Sequence, residues 1–172
     1  MNYITIDIET NGANPETDDI LLLSAVKITD GKITDTFSRL VKPSRPQSDE
    51  MALFTGITNE DLTDADELSL VIKEFSDFSR DCVIVSYDNF EYFFLNSKGF
   101  VAENIIYLRE YLKNNYTNIE KFIADAVIIS LGLEKHLKEE INRPAFYNKT
   151  RLFYALKVAI IFMFVLKNDF EI

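Results

Sequence analysis

Hydrophobic and polar residues alternate through YITIDIET at positions 3–10, where Ile4, Ile6 and Ile8 are separated by Thr5 and Asp7. A period of two predicts a β-strand with the isoleucines on one face and Asp7 and Glu9 together on the other. Two further strand-like runs, ILLLSAVKIT at 20–29 and KITDTFSRLV at 32–41, are joined by Asp30 and Gly31 alone. A two-residue Asp-Gly link is a strong hairpin signal, because both positions tolerate positive φ. A three-strand meander follows. NGANPETDD and KPSRPQSDE, rich in Gly, Pro, Asn and Asp, read as loops. ELSLVIKEFSDF then changes period, with apolar residues at Leu68, Val71, Ile72, Phe75 and Phe78, the spacing of a helix packed on the sheet. VIVSY at 83–87 predicts a short buried strand, and NFEYFFLNSKG a helix after it. Beyond Ala102 the pattern allows a strand or a helix at 104–113, a helix near 118–131 stopped by Gly132, and a final helix from Lys149 to Lys167. Strands in a meander, then strands alternating with helices, predict an α/β fold: a mixed sheet with helices packed on it, in one domain over residues 1–172.

Composition narrows the class. One cysteine, Cys82, excludes an internal disulfide framework and a multi-cysteine zinc site. Its place before an apolar run suggests a buried structural thiol. No basic stretch followed by an apolar core opens the chain, so a cytoplasmic protein is expected. LFYALKVAIIFMFVL at 152–166 contains Lys157 and falls short of the roughly 20 apolar residues of a spanning helix, so no membrane insertion is expected. The run is apolar almost all round, which suggests burial, or an interface with a protein partner or a second copy through the 150–167 helix. The net charge of −10 argues against coating nucleic acid through phosphate contacts alone. That charge is uneven. Residues 1–90 carry 18 acidic and 7 basic side chains and residues 91–172 carry 10 and 11, with Arg143, Lys149, Arg151 and Lys157 making the C-terminal part locally basic.

Asp7 and Glu9 carry the candidate chemistry. Adjacent carboxylates on one strand face repel unless a cation joins them, and hard oxygen donors suit magnesium or manganese. The surrounding IDIETNG, with LVKPSRP, FTGITNEDL at 54–62 and the helix ending in F-x-x-F, resembles the DnaQ-like 3′→5′ exonucleases of the DEDD group in content and order. The resemblance covers about the first 95 residues and implies a ribonuclease-H-like fold. It also implies a site in which four acidic residues hold two divalent metals, Mg²⁺ or Mn²⁺, that activate water and stabilise the leaving oxygen while a histidine acts as base.

By this resemblance Asp7 and Glu9 match the first two ligands. The second motif, an aromatic followed by aspartate, falls on Phe90 and Glu91, where the longer glutamate departs from the family. The third motif is a histidine and, five residues on, an aspartate. The best register places Lys149 and Tyr154 at those positions, and a shift of one residue gives Thr150 and Ala155. The one histidine, His136, is followed five residues on by Ile141, so neither register restores the motif. Leu22 stands where the family carries a glutamate, and Ser86 and Tyr87 where it carries a His-Asn pair. The expectation is an exonuclease fold with an incomplete site, weakly active or inactive, that binds a nucleic-acid 3′ end, DNA or RNA, or a protein partner. The alternative is an active metal-dependent exonuclease using Asp7, Glu9 and Glu91. A cation reaching the cleft from Lys149 or Arg151 would turn the carboxylates into a salt-bridge cluster.

Overall fold

The structure, a computed structural model, describes residues 1–143 and 151–169. Five strands form a single mixed sheet: β1 (Asn2–Thr10), β2 (Ile20–Thr29), β3 (Lys32–Leu40), β4 (Val83–Ser86) and β5 (Ile105–Tyr107), in the order β3-β2-β1-β4-β5. The first three are antiparallel, and β1, β4 and β5 run parallel to one another. This is the expected meander followed by parallel strands. Asp30 and Gly31 take φ values of 50° and 69°, as a tight primed hairpin turn requires.

Seven helices are described: α1 (Asp49–Thr55), α2 (Leu68–Phe78), α3 (Phe90–Ser97), α4 (Leu108–Asn115), α5 (Ala124–Ser130), α6 (Glu134–Ile141) and α7 (Phe153–Asp169). One sheet face carries Ile4, Ile6 and Ile8, which pack with Val71 and Phe75 of α2 and Phe94 and Leu95 of α3. The five apolar residues that predicted α2 all belong to this core. On the opposite face Tyr3, Val26, Ile28 and Val85 meet α7, with α4 and α5 completing the layer.

Several expectations change. Residues 104–113 hold both alternatives in succession, the short strand β5 and then α4. The helix expected at 118–131 is shorter and begins only at Ala124. α1 and α6 were not expected as helices. Ser48 caps α1 by accepting from the Met51 N–H at 3.3 Å, and Gly56, with φ of 69°, ends it. Cys82 is half-buried at the rim of one core, because it precedes β4 rather than lying inside it. The final helix starts at Phe153; Lys149 and Thr150 lie outside the described residues.

α7 explains its own composition. It packs on β1 and β2 with one side and against α5 and α6 with another, which buries ten of its residues inside the chain. The all-round hydrophobicity that suggested a protein partner or homodimer is thus accounted for internally. Among the described residues no helix is long and apolar enough to cross a membrane.

Candidate active site

β1 lies at the centre of the sheet, and its C-terminal end carries Asp7 and Glu9. The antiparallel register places Asp7 opposite Ser24 and Glu9 opposite Leu22. Asp7 is 8% exposed, and the Ser24 hydroxyl lies 3.5 Å from its Oδ2, a long hydrogen bond at best. Parallel pairing of β1 with β4 brings the C-terminal ends of both strands to one sheet edge, where ligands of such sheets collect. Ser86 ends β4, and its hydroxyl donates to Glu91 Oε2 at 2.7 Å. Glu91, in the first turn of α3, is buried.

α7 approaches from the other side. The Thr5 hydroxyl donates to the Ala155 carbonyl at 3.0 Å, a buried bond between residues 150 apart in sequence. This pins the first turn of α7 to β1 two residues before Asp7, and Tyr154 comes to lie beside the carboxylates. Its ring meets Tyr87 edge-on, with centroids 6.2 Å apart. Four of the five positions singled out from sequence (Asp7, Glu9, Glu91 and Tyr154) therefore converge, while Lys149 lies outside the described residues.

Electrostatics show what the arrangement lacks. Burial, then the charges of Glu9 and Glu91, hold the Asp7 carboxyl well above the usual carboxylate range. Burial raises Glu9 as well, and pushes Glu91 up to about 7 against the opposing Ser86 hydrogen bond. The Tyr154 phenol is raised by burial and then by Glu91, Tyr87 and Asp7, so at neutral pH it stays protonated and uncharged. Among the described residues no lysine or arginine forms an ion pair with Asp7, Glu9 or Glu91. Arg151, one of the two cations considered for the cleft, points to Asp61 in the loop after α1, at 3.5 Å. Lys157 is also committed elsewhere: 7% exposed, it pairs with Asp125 of α5 at 2.6 Å and lies against the rings of Phe153 and Tyr154.

The carboxylate donors suit a hard divalent cation in kind. Among the described residues no three His, Cys, Asp or Glu side chains are placed to hold a metal ion. Glu91 is turned towards Ser86, and the α7 position that faces Asp7 and Glu91 offers a neutral phenol. A base is equally distant. His136 is exposed on α6 and borders a cavity with Asp30, Gly31 and Lys32, beside the start of β1. At about 3.3 Å rise per residue, that end lies roughly 17–23 Å along the strand from Asp7 and Glu9.

Residues 4–131 match the model of the RNase_T family, described as Exonuclease. This chain belongs to the RNase_T exonuclease family. Among relatives of this chain, the DNA polymerase III PolC-type protein of Thermotoga petrophila is 34% identical over 137 residues, 76% of this chain and 10% of that protein. The corresponding protein of Bacillus subtilis is 37% identical over 95 residues, 55% of this chain and 7% of that one. The chain thus spans about a tenth or less of the length of these relatives. The nuclease domain of 3′hExo, a DEDDh family member bound to rAMP, superposes with a TM-score of 0.79 at 21% identity, covering 98% of this chain and 92% of that one. Exonuclease X in complex with 5′ overhanging duplex DNA gives a TM-score of 0.75 at 21% identity, with 97% and 92% covered. These likenesses establish the ribonuclease-H-like fold of the DEDDh exonucleases.

Sequence reasoning missed two partners of the site. The Ser86–Glu91 bond had a faint signal, a serine closing a strand five residues before a buried acid. The Lys157–Asp125 pair had none, because nothing in either segment indicates that α5 and α7 meet.

Proposed function

We propose that this exonuclease-fold chain has an incomplete hydrolytic site and acts by holding a nucleic-acid 3′ end, DNA or RNA, with little or no cleavage. The observation that carries this reading is Tyr154, a neutral phenol set against Asp7 and Glu91 where the family resemblance calls for a fourth carboxylate. The absence of a metal-holding trio among the described residues and the remoteness of His136 support it. In the family the metals polarise the phosphodiester and generate the attacking hydroxide. Here Asp7, Glu9 and Glu91 would contribute oxygen donors only, and the substrate end would be oriented by the edge of the sheet. The solved structures of similar fold lend support to this substrate class, one being in complex with duplex DNA and another bound to a ribonucleotide.

The test uses 3′-labelled DNA and RNA oligonucleotides, single-stranded and duplex, incubated with the purified chain in manganese beside an Asp7→Ala control. Binding without shortening of the label is expected. The double substitution Lys149→His with Tyr154→Asp is expected to gain manganese-dependent cleavage. Cleavage by the unaltered chain that disappears in Asp7→Ala overturns the reading. It would support a second one, favoured by the mutual influence of Asp7, Glu9 and Glu91: a working metal-dependent 3′→5′ exonuclease with an atypical site.

A further inference from the structure

A second cavity lies on the same sheet edge. It has a volume of about 540 Å³, within the size range of small-molecule sites, and lies where β4 and β5 give way to α3 and α4. Phe93 of α3 forms one wall and is 54% exposed, a large apolar area open to solvent. Tyr107 contributes a second ring, and Asn89 and Asn114 contribute amides.

The charges in this cavity balance. Arg109 and Lys113 are offset by Asp88 and Glu110. Asp88 is already engaged, accepting from the Phe90 N–H at 2.8 Å and facing Arg109 Nη1 at 3.6 Å. The Arg109 Nε–H is buried without a hydrogen-bond partner, and Lys113 forms no ion pair among the described residues. A bare phosphate gains little from a pocket of zero net charge. A flat heterocycle gains from all of it: ring faces for stacking, and amide, carboxylate and guanidinium groups for its edge.

We propose that this cavity seats one unpaired nucleobase of a single-stranded nucleic acid whose 3′ end lies at Asp7, Glu9 and Glu91, stacked on Phe93. The inference rests on the end-binding reading above. Continuity supports it: Glu91 and Phe93 belong to the same short helix on different faces, so a strand leaving Glu91 passes the first residues of α3 to reach Phe93. The cavity then fixes how the strand leaves the site and selects against a duplex, whose bases are stacked and paired.

An abasic walk tests the proposal. Single-stranded oligonucleotides carrying one abasic residue, moved stepwise from the 3′ end, are titrated against the full chain by fluorescence anisotropy. A loss of about tenfold at one position near the 3′ end is expected, with little effect elsewhere, in line with the energy of stacking a base on an aromatic ring. Phe93→Ala should bind the intact strand about tenfold more weakly and abolish the position dependence, while Phe93→Trp restores both. Thermal melting should be unchanged in each, since Phe93 is exposed. If the intact strand binds but the walk is flat, or if Phe93→Ala weakens every oligonucleotide equally, the base pocket is overturned and end binding stands. If no oligonucleotide binds, both readings fall.

Discussion

Glu91 joins the two halves of the site in one side chain. Its carboxyl titrates at about 7 in the folded chain, against 4.5 for an ordinary glutamate. The folded state therefore holds the proton more tightly than the unfolded state. The stability this contributes is complete below pH 4.5, declines between 4.5 and 7, and is gone above 7. Glu91→Gln keeps an acceptor for Ser86 and removes the charge. In the presence of a chelator, its melting temperature should vary less with pH over that window, with a gain at pH 8 of about 2–3 kcal/mol. Parallel pH profiles for the two proteins would count against the burial that raises this group. Asp7→Asn should likewise stabilise the metal-free chain above neutral pH, because Asp7 is buried beside two other carboxylates with no cation among the described residues.

Among the elements, β1 and α7 make the site, and they differed in legibility. β1 was readable because its period of two is interrupted by two carboxylates on one face, an anomaly visible without any partner. The Asp30–Gly31 hairpin and α2 were readable for the same local reason, as turn chemistry and apolar spacing are properties of a few adjacent residues. α1 and α6 escaped because both are short and hold no fully buried residue, with only Leu137 and Ile141 of α6 turned to the core. The environment of α7 was not legible, since it depends on elements far away in sequence. Two measurements address that environment. Thr5→Val removes the hydroxyl that bonds Ala155 and should cost about 1 kcal/mol in denaturant unfolding. Asp125→Ala leaves Lys157 buried without its partner and should destabilise by about 1–2 kcal/mol, whereas Lys157→Met, which fills the same space, should be close to neutral. Equal losses in the two variants would show that the pair itself stabilises the helix.

The whole molecule carries a charge of −10, so a nucleic-acid strand meets net repulsion and its affinity cannot come chiefly from phosphate neutralisation. Oligonucleotide binding should therefore depend weakly on salt, losing less than about tenfold between 50 and 200 mM, as for one or two phosphate contacts on a single strand. A loss of a thousandfold would show that phosphate neutralisation dominates binding and count against this expectation. The long bond from Thr5 to Ala155 has a consequence during synthesis as well. β1 leaves the ribosome well before α7, because the helix that covers one of its faces follows about 150 residues later. At translation rates of roughly 5–20 residues per second, a nascent chain would wait several seconds or more with half of its sheet uncovered. Such a chain is a natural client for a chaperone that shields apolar surface, and release of α7 from the exit tunnel would end that dependence.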